Sequence, residues 1–239
     1  MSPEERGRLA AGAREIGIEL SGAQLDLFAG YQALLYAWNE RLNLTRVPPR
    51  EAVARHFLDS LAAARAFDLA AARRLIDVGT GAGLPGIPLK IACPGLHVTL
   101  LDATRKKLAF LDEAIVALGL GGIVTVHARA EDACRQPEHR ARYDVAVARA
   151  VGPLGRLAGW LLPLVRPGGV AVALKSANVD GEVADAAVAI RTAGGRLTGT
   201  LRVRIPGEEV ERTLVCLAPV TRAPGQRPKV GHRGATGPA

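Results

Sequence analysis

From residue 75 onward, short apolar runs alternate with helix-like stretches, and this rhythm restricts the fold more than any other feature of the chain. The runs are residues 75–78, 98–101, 123–126, 145–147 and 170–174. Continuous apolar runs this short suit strands buried on both faces of a parallel sheet. Helix-like stretches lie between them, for example residues 104–118 and 153–165. Strand-helix alternation of this kind predicts a doubly wound, Rossmann-like α/β domain. The end of the chain breaks the rhythm. Residues 197–205 and 213–218 read as two strands joined across Pro206-Gly207-Glu208-Glu209. A link that short holds no crossover helix, so this pair is expected to be antiparallel. The expectation is a mostly parallel seven-stranded sheet that ends in an antiparallel hairpin.

Before residue 70 the sequence reads as helices only. Ser21 and Gln24 have the spacing of a capping box and open the first clear helix. Phe28, Tyr31, Leu35, Trp38 and Leu42 then recur at spacings of three and four, which marks one apolar face. We read that stripe as core, not as a platform for stacking bases. Pro48 and Pro49 end the segment, and a second helix is expected from about residue 51 to residue 67, with Val53, Phe57, Leu58 and Leu61 inward. The organisation is therefore an N-terminal helical extension over 1–70, the α/β domain over 71–220 and a tail over 221–239. After Glu211 there is no acidic residue, whereas Arg212, Arg222, Arg227, Lys229 and Arg233 follow in a stretch rich in Pro and Gly. That composition predicts a basic, flexible tail.

The segment with the most chemical content is Asp77-Val78-Gly79-Thr80-Gly81-Ala82-Gly83-Leu84-Pro85-Gly86. It follows a strand and is expected to open a helix, with a ligand in the crevice at the strand's carboxyl end. Residues 81–86 match the GxGxxG dinucleotide fingerprint, which alone is a weak signal. The longer pattern D-x-G-x-G-x-G, beginning at Asp77, looks like the first motif of S-adenosylmethionine enzymes. S-adenosyl-L-methionine carries a cationic amino-acid end and a sulfonium, and no pyrophosphate. A carboxylate beside the loop favours that charge and opposes a pyrophosphate. Asp102 ends the second strand, where it can accept bonds from ribose hydroxyls of either cofactor class. With a terminal antiparallel hairpin, the arrangement is that of a class I methyltransferase. Gly79, Thr80, Gly81 and Gly83 are the loop's candidate cofactor contacts.

Charge and cysteine usage bound the partners. Lys and Arg number 31 against 23 Asp and Glu, a formal net charge of +8, which favours a polyanionic partner such as nucleic acid. The three cysteines, Cys93, Cys134 and Cys216, show no CxxC spacing, which fits reduced thiols and neither a disulfide framework nor a metal site. No segment approaches the ~20 apolar residues that cross a bilayer. A cytoplasmic protein without a membrane or metal partner, and monomeric, is expected.

Across most of its length the chain resembles the 16S ribosomal RNA methyltransferase G family, also called glucose-inhibited division protein B. The resemblance rests on Trp38-Asn39-Glu40-Arg41-Leu42-Asn43-Leu44-Thr45, on Arg55-His56-Phe57-Leu58-Asp59-Ser60-Leu61 and on the glycine loop. It continues through Arg105-Lys106-Lys107, Phe110-Leu111, Ala128-Arg129-Ala130-Glu131 and Arg149-Ala150-Val151. It implies methyl transfer to N7 of a guanine in a loop of 16S rRNA, naked or within the small ribosomal subunit. By the same resemblance Gly79 and Leu84 line the cofactor pocket, Ala130 and Glu131 meet the adenine, and Arg149 stands between cofactor and substrate. The chain departs from the family near its end, where only Arg222, Pro224-Gly225 and Pro228-Lys229 remain of the terminal pattern.

Guanine N7 carries a lone pair and no proton, so this chemistry requires no general base. Catalysis then rests on alignment, which is a positioning effect, and no single acid or base is expected. Arg149, after the fourth strand, is the candidate positioning residue. Arg105 and Lys106, with Lys107, open a helix and are candidates for phosphate contact, as are Lys175 at the end of the fifth strand and Arg222 in the tail. His56 is read as a buried structural group beside Asp59, and Asn43 and Ser60 as residues that shape the substrate mouth. Three other readings remain open: a methyltransferase of another RNA, a protein or a small molecule; a ribosome-assembly factor that has kept the fold without activity; and, most distantly, an NAD-dependent oxidoreductase.

Overall fold

The structure is a computed structural model and describes residues 1–176, 178–208 and 211–220. Seven strands form one sheet: β1 (Arg74–Val78), β2 (His97–Asp102), β3 (Ile123–His127), β4 (Tyr143–Arg149), β5 (Val165–Ser176), β6 (Gly195–Arg204) and β7 (Glu211–Pro219). Their order is β3-β2-β1-β4-β5-β7-β6. The first five strands pair in parallel, and β7 lies antiparallel between β5 and β6. The fold is a class I methyltransferase sheet with helices on both faces. The chain winds outward in one direction from β1 and in the other from β4. The loops after these two neighbours therefore diverge, and a crevice opens at their carboxyl ends.

Alternation along the strands decides what each residue faces. Leu75, Val145, Val147, Val172 and Leu174 pack into a core with the N-terminal helices, whereas Ile76, Ala146, Ala148, Ala171 and Ala173 pack into a second core on the other face. The N-terminal helices are α1 (Pro3–Ile16) and α2 (Gly22–Asn39). Leu9, Ala13, Phe28, Tyr31 and Leu35 are all fully buried in the first core, so the extension has no core separate from the sheet. Helix α1 was not anticipated from the sequence, although it has its own signal. Ser2 and Glu5 form a capping box, with Pro3 at the first helical position. Its apolar face is short and its exposed face heavily charged, which weakens the periodic signal.

The single helix expected over 51–67 is also corrected. The chain there passes through a 3-10 turn (Pro49–Glu51), a π-helical segment (Val53–Leu58), one α-turn, α3 (Asp59–Leu61), and a second 3-10 turn (Ala62–Ala66). This wide and narrow winding re-aims His56 and Asp59, both buried polar residues. The remaining helices are α4 (Gly86–Ala92), α5 (Arg105–Ala117), α6 (Ala130–Ala133), α7 (Leu154–Leu161) and α8 (Asp180–Thr192). None of the described helices is long and apolar enough to cross a membrane.

Candidate active site

Two cavities lie along the carboxyl edge of the sheet and share Ala150. The smaller, about 350 Å³, is lined by Gly79, Asp102, Lys107, Ala130, Glu131 and Val151, among others. The larger, about 510 Å³, is lined by His56, Asp59, Arg149, Lys175, Ser176 and Arg212, among others. Ala150 adopts a left-handed φ of 57° and separates the two, directly after β4. The smaller cavity sets two carboxylates, Asp102 and Glu131, beside Lys107 and Arg129, whereas the larger presents mainly guanidinium and ammonium groups.

The glycine loop forms the floor of the smaller cavity. Gly81 donates its N–H to Asp102 Oδ2 at 3.0 Å, and Thr104 donates its N–H to Oδ1 at 2.8 Å. Asp102 is thus fixed with its outer face toward the cavity and Lys107 Nζ at 3.8 Å. A Cβ added to Gly81 would meet only the Gly79 carbonyl, 3.9 Å away, so this stretch of backbone is open to a ligand; its φ of +59° also favours glycine. Gly79 is covered from above by Val151, whose methyl groups would stand 2.9 Å from a Cβ there.

Four of the expected cofactor contacts lie behind this surface. Asp77 is fully buried, and its Oδ2 accepts from the Thr80 hydroxyl at 2.7 Å and from the Gly86 N–H at 2.8 Å. Its Oδ1 is buried with no partner among the described residues. Burial pushes the Asp77 carboxyl up to about 6, against the opposing pull of those two hydrogen bonds. Thr80 is therefore aimed inward, at Asp77. Gly83 lies against Ile87 and Leu111, where a Cβ would approach within 2.6 Å of the nearest atom, and Leu84 joins the first core. Asp77, Thr80, Gly83 and Leu84 shape the loop, whereas Gly79, Asp102, Ala130 and Glu131 line the cavity.

Alternation along β4 and β5 sends the two basic strand ends to opposite faces. Arg149 follows Val145 and Val147 toward the N-terminal helices. There its Nη1 donates to Asp59 Oδ2 at 2.8 Å and to the Arg55 carbonyl at 3.2 Å. Lys175 follows Ala171 and Ala173 toward the other face. Its Nζ donates to the Gly152 carbonyl at 2.7 Å and to Glu182 Oε1 at 2.6 Å. Lys175, expected to meet phosphate, thus has its charge matched by Glu182 here and holds the loop after β4. Arg105 and Lys106 are exposed at the start of α5 and make no ion pair with a described residue. Arg222 lies outside the described residues.

Two groups that the sequence reading passed over complete the larger cavity. Asp59, only 2% exposed, accepts from Arg149 and, through Oδ1, from Arg212 Nε at 2.6 Å. Arg212 is the second residue of β7, 153 positions from Asp59. His56 is buried as expected. Its Nε2 lies 2.7 Å from the Thr45 hydroxyl and its Nδ1 3.2 Å from the Arg55 carbonyl. Burial, helped by the nearby Arg149 charge, lowers the His56 imidazole to about 4, so it is neutral near pH 7. Tyr31, in the aromatic stripe, donates its hydroxyl to the Ala82 carbonyl and so ties α2 to the glycine loop. Among the described residues no group of three or more His, Cys, Asp or Glu is placed to hold a metal ion.

A profile of the rRNA small subunit methyltransferase G family matches residues 24–205. A ribosomal RNA small subunit methyltransferase G from an Exiguobacterium species is 44% identical over 217 residues, which cover 90% of this chain and 91% of the relative. The chain belongs to the rRNA small subunit methyltransferase G family. Solved structures agree on the fold. The [4+2]-cyclase SpnF is 16% identical with a TM-score of 0.56, covering 74% of this chain and 84% of its own. The mitomycin 7-O-methyltransferase MmcR is 17% identical with a TM-score of 0.54, covering 68% and 53%. Likeness at that level speaks to architecture alone, because unrelated chemistries share one fold. For this methyltransferase G member the informative features are the two cavities and the residues between them. Arg212 was missed because nothing local marks one arginine in a β-strand as a site residue.

Proposed function

We propose that this chain transfers the methyl group of S-adenosyl-L-methionine to N7 of a guanine in a loop of 16S ribosomal RNA. The observation that carries this reading is the junction at Ala150, where a cavity of balanced charge, holding Asp102 and Glu131 with Lys107 and Arg129, meets a strongly cationic one. The smaller cavity suits the cofactor. Gly81 leaves its backbone open, and Asp102 and Glu131 offer acceptors for nucleoside hydroxyl and amino groups. When bound, S-adenosylmethionine supplies a methyl group activated by a positive sulfur.

The chain's own residues then bind and align. N7 needs no deprotonation, which agrees with an imidazole at His56 that is neutral, buried and engaged on both nitrogens. Nothing in the larger cavity has to remove a proton. Arg149, with Arg55 and Arg212 around it, gives that cavity its positive charge, as an RNA ligand requires. The target base must leave its stack to reach the junction, so an unpaired loop base is the natural substrate. Arg105 and Lys106 stand beside the smaller cavity as phosphate contacts. We also infer a cytoplasmic location, from membership of a family that acts on ribosomal RNA.

The test is nucleoside mass spectrometry of 16S rRNA from cells that lack this gene and from complemented cells. The expected result is the loss of one N7-methylguanosine and its return on complementation. An unchanged modification profile overturns the reading.

A further inference from the structure

The larger cavity sorts its polar side chains by what they have left to give. Asp59 has both oxygens occupied, one by Arg149 and the other by Arg212. His56 donates through Nδ1 to the Arg55 carbonyl and accepts at Nε2 from the Thr45 hydroxyl, a tautomer set by those partners. The Lys175 ammonium is shared between Gly152 and Glu182. Arg55 carries only donors and is paired with Glu51. Arg149 spends only Nη1, on Asp59 and the Arg55 carbonyl, and its side chain is 16% exposed; Arg212 is the more open of the two guanidiniums held by Asp59. Its Nε is bound to Asp59, but neither Nη bonds any described residue, and its side chain is 29% exposed within the cavity. Apart from the Ser176 hydroxyl at the exposed rim, the cavity's side-chain hydrogen-bonding groups therefore offer donors and no uncommitted acceptor.

That bias discriminates between purines. Beside N7, guanine carries the O6 acceptor, whereas adenine carries an amino donor at the same place. A wall of donors accepts the first and leaves the second facing cations. N7 itself must stay free to attack, so the usual two-pronged arginine contact to N7 and O6 is excluded. A single bond to O6 remains. Building on the guanine-N7 reading above, we propose that Arg212 reads O6 of the target guanine. Asp59 is the positioning residue that holds Arg212 beside Arg149. Arg212 comes from the antiparallel strand β7, so the hairpin that closes the sheet also supplies the base-reading group.

The experiment compares methyl transfer to small ribosomal subunits reconstituted with 16S rRNA that carries one of three bases at the methylated position. The bases are guanine, inosine and 2-aminopurine. Inosine keeps O6, and 2-aminopurine keeps N7 but has hydrogen in place of O6. For the wild type, kcat/KM is expected to fall about 10- to 100-fold on 2-aminopurine and to change little on inosine, as loss of one bond to a charged donor requires. Arg212→Gln should fall by a similar factor on guanine and then separate guanine from 2-aminopurine by less than about 3-fold. Melting curves and calorimetric binding of S-adenosylmethionine check that the variant is folded. Arg212→Lys, which keeps a cationic donor, should retain part of the discrimination.

Equal rates on guanine and 2-aminopurine by the wild type overturn the inference without any variant. So does an Arg212→Gln enzyme that is weakened on both bases alike, because Arg212 would then hold a phosphate or the fold. A wild-type enzyme that places no methyl on guanine N7 overturns the underlying functional reading as well.

Discussion

Asp77→Asn tests the buried base of the glycine loop through the pH dependence of stability. Burial holds the Asp77 carboxyl at about 6 in place of its ordinary 3.8, so the folded chain keeps a proton that the unfolded chain has released. Stability from that proton is fully present below pH 3.8 and is lost as pH rises through 6. Moving one carboxyl between those values changes the folding free energy by about 3 kcal/mol. Asparagine keeps the shape, and its carbonyl can still accept from Thr80 and Gly86 where Oδ2 does now. It does not titrate. The stability of Asp77→Asn relative to wild type should therefore climb by about 2.5 kcal/mol from pH 4 to pH 7 and then level off. Any constant offset from placing an amide against the unpartnered side is independent of pH. The assay is urea unfolding of both proteins across that range, without cofactor. His56 provides the opposite sign as a control. Its imidazole is lowered from 6.5 to about 4, so its stabilising contribution is present above pH 6.5 and lost as pH falls toward 4. The stability of His56→Gln relative to wild type should therefore rise as the solution is acidified over that window. A difference curve for Asp77→Asn that is flat between pH 4 and pH 7 would refute the reasoning, because it would mean the carboxyl titrates as if hydrated.

Two further substitutions address the loop. Tyr31→Phe removes only the hydroxyl that donates to Ala82, from a ring packed 5.8 Å from Phe57. We expect a loss of about 1–2 kcal/mol, seen as a melting temperature lower by about 3–6 °C. A several-fold weaker binding of S-adenosylmethionine should accompany it in calorimetry; no change in either measurement would mean that α2 does not brace the loop. Gly81→Val forces a branched residue to a φ of +59°, at a cost of about 1–2 kcal/mol, and fills the open side of the loop. Affinity for S-adenosylmethionine should fall beyond calorimetric detection, and a normal binding isotherm would place the cofactor elsewhere.

The sheet was legible because its strands announce themselves. Runs buried on both faces leave no polar alternation, and the short link after residue 205 permits only a hairpin. All seven strands lie at the expected segments, with bounds that differ by a few residues at their ends. The longest difference is in β5, which begins at Val165 and holds a register irregularity before Val170, with Gly168 at a φ of 83°, in a stretch that reads as a turn in sequence. The glycine loop was legible as a loop, but its internal division was not. Whether Thr80 faces Asp77 or a ligand depends on one backbone rotation, and Asp77 looks from sequence like an exposed carboxylate. Helix α1 and the wide π-helical winding over Val53–Leu58 were missed for a shared reason. Both are stabilised by packing on the rest of the chain, and neither has a strong period of its own.

The order of strand types, the hairpin and the glycine loop with its two flanking aspartates follow from local sequence, because each depends on the spacing of neighbours along the chain. The pairing of residues far apart does not. Asp59 reaches Arg149 and Arg212 only after helices before the sheet, the fourth strand and the last strand have been packed together. Which of Arg149 and Lys175 reached Asp59 was decided by a pleat: two residues on adjacent strands, one register step out of phase, point to opposite faces of the sheet.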